Sequence, residues 1–219
     1  DTYLSQFRCA FQKAGTFEAQ RAALRELHQE EMFLIQVRDI LDIADRPSVG
    51  AQLAVLAEAS LIAAFELACL RLEEKEGAAF AHWAEEHFVM LALGKLGGSD
   101  LSYKSDLDVI YFYSVGEAEL ANDVQSRASL LAEIMDEILS ISRGEGTIYK
   151  IDTRLRPEGK KGSLVAAIHK LKEYLETRAQ PWERLAMVRH RFVQGSPSNC
   201  AYLEQLLRRF VYDAELSAA

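Results

Sequence analysis

Between Phe17 and Ala44 apolar residues return every three or four positions, at Leu24, Leu27, Phe33, Leu34, Val37, Ile40 and Leu41. That spacing is one face of a helix. Arg46-Pro47-Ser48 interrupts it: proline disfavours helical backbone at Arg46, and Ser48 is suited to cap the next helix. This second helix, dense in Ala and Leu, is predicted over residues 49–75, at the centre of a bundle or lying over a sheet, with Gly77 ending it. The period then changes. Phe88–Leu93 is a continuous apolar run stopped by Gly94-Lys95-Leu96-Gly97-Gly98, and residues 109–113 form a second run, β-branched and aromatic. Both are short for helices and predict buried strands. Helical spacing returns over 122–142, at Val124, Ala128, Leu131, Met135, Ile138 and Leu139, closed by Gly144. After Gly144-Glu145-Gly146 a third strand is predicted over 149–155, ended by Pro157 and Gly159. From about Ala166 the tail reads as helix, with a loop at Gly195-Ser196-Pro197 and a last helix ending near Tyr212.

The order is a helical lead-in, 1–87, an α/β core, 88–165, and C-terminal helices, 166–219, an α+β arrangement. With 219 residues, 49% of them apolar and 26% charged, the chain has material for one or two packed units, and disorder is excluded as its main state. No run approaches the roughly 18 unbroken apolar residues of a membrane span. The most apolar stretch, 53–72, carries Glu58 and Glu66. No signal-peptide pattern opens the chain, and its start at Asp1 predicts a piece of a longer protein. Lys and Arg total 25 against 33 for Asp and Glu, a net charge of −8, which argues against nucleic acid as a partner. Cys9, Cys69 and Cys200 lie far apart without C-x-x-C spacing, so neither zinc nor a disulfide framework is expected, and a reducing cytoplasm fits best.

The unusual residues fall in the α/β segment. Gly97-Gly98-Ser99 follows a predicted strand, where paired glycines admit close approach of a ligand and successive N–H groups can cradle phosphate. On its own the pair is more simply a tight strand-to-helix turn. Asp106 and Asp108 flank Leu107 at the head of the second strand, so both project to one face. Side-by-side carboxylates repel unless a cation lies between them, and hard oxygen donors suit Mg²⁺. The competing reading is a solvated strand start with Asp106 in a turn. On the third predicted strand Asp152, Arg154 and Arg156 share a face. That is either an ion-pair ladder, or a third carboxylate beside the first two with arginines turned towards phosphate. Three carboxylates with a glycine loop equip a site for two-metal nucleotidyl transfer.

Gly-Gly, seven residues, then Asp-Leu-Asp before an apolar strand resembles the polymerase-β-type nucleotidyltransferase signature. Gly94-Lys95-Leu96-Gly97-Gly98, Ser105-Asp106-Leu107-Asp108, Asp152-Thr153-Arg154-Leu155-Arg156-Pro157 and Trp182-Glu183-Arg184 are more specific. Together they resemble the bifunctional glutamine synthetase adenylyltransferase/adenylyl-removing family, whose two related nucleotidyltransferase domains attach AMP to a tyrosine of glutamine synthetase or remove it by phosphorolysis. Glu30-Glu31 to Asp39-Ile40 and Leu56-Ala57-Glu58-Ala59 look like that family's helical lead-in. Leu107 between the aspartates, and Ala179-Gln180-Pro181 before Trp182, are similar to the C-terminal, attaching half, whereas Ala186-Met187-Val188 after Trp182-Glu183-Arg184 is similar to the removing half. Ser99-Asp100 and His190 depart from the family's usual residues.

The resemblance implies a nucleotidyltransferase sheet flanked by helices, transfer of AMP from ATP with release of pyrophosphate, and a role in controlling nitrogen assimilation. It also implies two Mg²⁺ ions on Asp106, Asp108 and Asp152, with Asp152 assisting deprotonation of the acceptor. ATP phosphates would lie on Gly97, Gly98, Ser99 and Arg154 or Arg156. Glutamine synthetase would be the protein substrate and a PII-type nitrogen-signalling protein a further partner, with no nucleic acid and no membrane. The rival readings are phosphorolysis of adenylyl-tyrosine to ADP, a silent nucleotide-binding regulatory domain, and a polymerase. Among weaker candidates, Lys95 and Lys160-Lys161 read as phosphate contacts or surface turns, Trp182 as a core anchor, and Arg189, Arg191, Arg208 and Arg209 as a solvated face.

Overall fold

The structure is a computed structural model that describes residues 2–77, 79–115, 121–140 and 147–213. The turn expected at Gly144-Glu145-Gly146 lies outside the described residues.

Three helices lead in: α1 (Thr2–Lys13), α2 (Phe17–Ile40) and α3 (Arg46–Glu76). The break between α2 and α3 is where Pro47 puts it, but the cap is Asp45, not Ser48. The Asp45 carboxylate accepts the backbone N–H of Ser48 at 2.9 Å, and proline sits in the first turn, where its missing N–H costs nothing. The apolar stripe of α2 also turns out differently. Leu24, His28 and Ile35 are buried, whereas Phe33, Leu34, Ile40 and Leu41 are exposed, because α3 covers a neighbouring face of the helix. α3 is long and apolar enough to cross a membrane by length and composition, with mean hydropathy 2.0 over its best window; 72% of that window is buried inside the chain. Its two mid-helix carboxylates, Glu58 and Glu66, pair with Arg191 and Arg8.

After α4 (Ala79–His87), β1 (Phe88–Leu93) and β2 (Leu107–Tyr113) run antiparallel, joined through the short turn α5 (Gly94–Gly97). α6 (Ala121–Ser140) leads to β3 (Ile151–Asp152) and β4 (Val165–Ala167), which pair in parallel with successive parts of β2. α7 (Ile168–Thr177) and α8 (Pro181–Ala186) precede β5 (His190–Gln194), antiparallel to β1, and α9 (Pro197–Arg208) comes last. The mixed sheet has the order β3-β2-β1-β5, with β4 on the β3 edge.

Both faces of the two central strands are covered, which is why each reads as an unbroken apolar run. Phe88, Met90, Ala92, Val109, Tyr111 and Tyr113 pack with α1 to α4 and α6. Val89, Leu91, Leu93, Ile110 and Phe112 pack with residues of α7 and α9.

Two readings of the sequence are corrected. The tail from Ala166 is not all helix, since it holds part of β4 and all of β5. The third strand is two residues long rather than seven. It stops because the Asp152 carboxylate accepts the backbone N–H of Arg154 at 2.9 Å, a local turn that competes with the ladder, and Arg156 then closes on the carbonyl of Thr153 at 3.2 Å.

Candidate active site

The parallel register of β2 and β3 places Asp108 opposite Asp152. Asp106 stands two residues before Asp108, just ahead of β2. Burial, reinforced by the charges of Asp152 and Asp106, raises the Asp108 pKa above the usual carboxylate range, with Arg154 pulling the other way. Asp152 is buried at 8% exposure and shifts downward, because Arg154 holds it ionised: Nε lies 2.8 Å from each carboxylate oxygen. Asp106 accepts from Lys150, whose Nζ is 2.6 Å from Oδ2.

Three acidic groups therefore share one end of the sheet, two of them held by flexible cationic side chains. Among the described residues no three His, Cys, Asp or Glu groups stand as a closed ligand set. The donors nonetheless suit a divalent cation: they are hard oxygens in mutual repulsion, and the Lys150 and Arg154 side chains, 71% and 65% exposed, have room to swing aside.

Asp106, Asp108, Asp152 and Arg154 are brought together as expected. Arg156 is not. With the strand ended at Asp152, its guanidinium turns to the Thr153 carbonyl at 2.9 Å and to that of Gly162 at 3.3 Å, pinning the loop between them.

Gly94, Gly97, Gly98 and Ser99 close the other side of Asp108. Gly94 has φ +56°, and a Cβ there would stand 2.8 Å from Asp108 Oδ2, so only glycine lets this carboxylate rest against the backbone. Gly97 is packed against the carbonyls of Arg189 and Ala92, and Gly98 lies under the Arg189 guanidinium. The N–H groups of Gly98, Ser99 and Asp100 donate to the carbonyls of Gly94, Leu96 and Lys95. They complete a turn instead of standing open as a cradle.

Sequence reasoning missed Arg189 and Arg191. The Arg189 guanidinium stands 3.5 Å from Asp100, while Arg191 donates to the Leu96 carbonyl at 2.8 Å and pairs with Glu58. Both reach the glycine turn: Arg191 is half-buried there and is not part of a solvated face, whereas Arg189 stays exposed as expected. The aromatic and β-branched pair Phe192-Val193 was the available sign of a strand. Trp182 is 49% exposed and anchors no core. Its neighbour Glu183, at 1%, accepts from the Tyr174 hydroxyl and the Gln180 N–H, each at 2.7 Å, and so caps α8. Lys95 donates to the Ser102 hydroxyl at 3.1 Å, and Lys160 and Lys161 lie on an exposed turn.

Over residues 1–205 the chain matches the family described as glutamate-ammonia ligase adenylyltransferase. It is similar to the bifunctional glutamine synthetase adenylyltransferase/adenylyl-removing enzyme of Neisseria meningitidis serogroup A, 35% identical over 183 residues, covering 84% of this chain and 19% of that protein. The enzyme of the same description from Chromobacterium violaceum is 34% identical over 184 residues, covering 84% and 20%. That from Nitrosococcus oceani is 33% identical over 197 residues, covering 86% and 20%. The chain thus spans about a fifth of the length of these relatives.

Proposed function

Because the chain belongs to the glutamate-ammonia ligase adenylyltransferase family, we propose that it transfers AMP from ATP to a tyrosine hydroxyl of glutamine synthetase. The observation that carries this reading is the pairing of Asp108 with Asp152 across β2 and β3, with Asp106 beside them and a glycine turn against Asp108. In the transfer the tyrosine oxygen bonds to the α-phosphorus, and the bond to pyrophosphate breaks, its electron pair leaving with pyrophosphate. The phenolic proton passes to a carboxylate. Asp152 is placed for that task, since it stands in register with Asp108, and it becomes the stronger base when Arg154 turns from it to a phosphate. Asp106, Asp108 and Asp152 would hold Mg²⁺, which when bound neutralises phosphate charge and acidifies the attacking hydroxyl.

ATP phosphates would lie along Gly97, Gly98 and Ser99. With three of that turn's N–H groups already used, positive charge would come from side chains. Arg189 lies across the turn, and Arg154 can exchange Asp152 for a phosphate oxygen. Arg156 would act through the loop it pins. The same arrangement run with inorganic phosphate would phosphorolyse adenylyl-tyrosine to ADP, a second reading favoured by the Ala186-Met187-Val188 string.

The test gives the chain unmodified glutamine synthetase with Mg-ATP, and separately the adenylylated form with phosphate and no ATP. Adenylylated subunits and pyrophosphate in the first, with little ADP in the second, are expected; the reverse pattern establishes the removing reaction. Asp108→Asn should abolish transfer while the protein stays folded, and near-parental turnover in that variant would sink the site.

A further inference from the structure

The segment that leaves the site at Asp152, residues 153–162, runs on to β4 as a chain of tight turns. Arg156 donates to the carbonyls of Thr153 and Gly162, and the Gly159 N–H donates to the Arg156 carbonyl at 2.8 Å. Within the segment Glu158 has φ +62°, a left-handed backbone that is unfavourable for a residue other than glycine and persists only where neighbours hold it. Those neighbours belong to the chain between α7 and α8. The Glu158 N–H donates to the Tyr174 hydroxyl at 3.0 Å, that hydroxyl donates to a Glu183 oxygen at 2.7 Å, and the Glu158 carboxylate pairs with Arg178.

This run of bonds has a direction. Tyr174 and Glu183 are 6% and 1% exposed, and Tyr174 lies in the apolar cluster that covers the face of the sheet carrying Ile110 and Phe112. A carboxylate so deeply buried is costly unless its oxygens are satisfied. Here one oxygen accepts from the Tyr174 hydroxyl and the other from the Gln180 N–H, each at 2.7 Å. With both oxygens accepting, the hydroxyl gives its proton to Glu183 and turns a lone pair to the Glu158 N–H. Capping of α8 accounts for the Gln180 bond alone. The Tyr174 bond has no part in the cap, and it leads to the strained residue of the loop that begins at Asp152.

Resting on the proposed transfer, we infer that Glu183 and Tyr174 are positioning residues for it: through Glu158 they fix the path of residues 153–162, and so the placement of Asp152 and Arg154 at its head. Thr153 is the link, since Arg156 grips both its carbonyl, at 2.9 Å, and its hydroxyl, at 3.1 Å. The Arg154 side chain can turn from Asp152 to a phosphate without dragging the backbone only if the loop is held from its far end. Glu183 and Tyr174 supply that hold from the helices, without touching substrate.

Tyr174→Phe deletes the hydroxyl and leaves the Gln180 bond to Glu183 in place. Glu183→Gln leaves one oxygen for two donors. Tyr111→Phe is the matched control: it deletes another buried tyrosine–carboxylate bond, to Asp136, on the opposite face of β2 from Asp108. Two quantities are read on the full chain, hydrogen exchange over residues 153–162 by mass spectrometry, and kcat and KM for AMP transfer from Mg-ATP to glutamine synthetase. Tyr174→Phe and Glu183→Gln should each speed exchange in that segment by about tenfold or more. Each should lower kcat by roughly ten- to a hundredfold, with KM for either substrate changing by less than about threefold. Because the two side chains act in series, the double variant should lose no more kcat than the worse single one. Tyr111→Phe should leave both quantities near the parent's. Unchanged exchange in Tyr174→Phe overturns the tether. Faster exchange with parental kcat overturns the positioning role, as does an equal loss of kcat in Tyr111→Phe, which would reduce the effect to general loosening. If the parent itself transfers no AMP, the transfer reading fails, and exchange in the variants still decides whether Glu183 and Tyr174 hold the loop.

Discussion

At the scale of single residues, two buried groups pull the acid stability of the fold in opposite directions. His28 is held neutral by burial, its pKa lowered to about 4. The unfolded chain takes up this proton near the ordinary histidine value, so stability is lost as pH falls from about 6.5 to 4. Asp136, which accepts from the Tyr111 hydroxyl at 2.9 Å, is raised by burial to about 6. Here the folded state holds the proton longer than the unfolded one, so stability is lost as pH rises from about 4 to 6. Each shift is about two units, or ~3 kcal/mol, and over this window they nearly cancel. Asp136→Asn keeps an acceptor for Tyr111 and removes the charge. Its advantage over the parent in urea unfolding should therefore grow by about 2–3 kcal/mol between pH 4 and pH 6.5; a constant difference would refute the assignment. The glycine turn allows a sharper contrast. A methyl group at Gly97 meets the backbone carbonyls of Arg189 and Ala92, which cannot yield, whereas one at Gly98 meets only the movable end of the Arg189 side chain. Gly97→Ala should cost about 1–3 kcal/mol in stability and Gly98→Ala much less, with equal losses in thermal denaturation counting against this account. The carboxylate spacing was legible in the sequence because a two-residue period is a property of strands. The turn of Arg156 into its own loop was not, because it depends on where the third strand stops.

At the scale of elements, the strands legible in advance were those covered on both faces. Phe88–Leu93 was bounded to the residue, since burial on two sides leaves an apolar run that nothing polar interrupts. β5 escaped notice because each of its five residues is only half-buried and it carries His190, Arg191 and Gln194, as an edge strand with one partner can. α2 was legible as a helix but not in its orientation, because a stripe of apolar residues does not say whether anything in the chain covers it. The pairing of Arg191 with Glu58 ties β5 to α3, and burial raises the Glu58 pKa with Arg191 pulling it back. Arg191→Met should leave the Glu58 carboxylate half-buried without its cation and release the Leu96 carbonyl, costing about 1–3 kcal/mol. Adding Glu58→Gln should recover part of that loss in a double-mutant cycle, and simple additivity would mean the two side chains do not interact.

For the whole molecule, the family resemblance led to the chemistry, but the composition of the core shows which parts must travel together. Val89, Leu91, Leu93, Ile110 and Phe112 are all fully buried on the face of the sheet away from the lead-in helices. Their cover comes from Leu171, Leu175, Leu203 and Leu207, all beyond residue 165. Exposing five such side chains forfeits about 2 kcal/mol each, about 10 kcal/mol together, which is comparable to the entire stability of an ordinary domain. Removing the tail also strips β5 from β1, turning a central strand into an open edge, and takes Arg189 and Arg191 from the glycine turn. Residues 1–165, although they contain every carboxylate of the site, should therefore neither fold cooperatively nor bind ATP. In calorimetry that fragment should show no sharp transition and should bind a hydrophobic dye that the full chain excludes. A cooperative melt within a few degrees of the parent would mean that the tail only decorates a sheet stable without it.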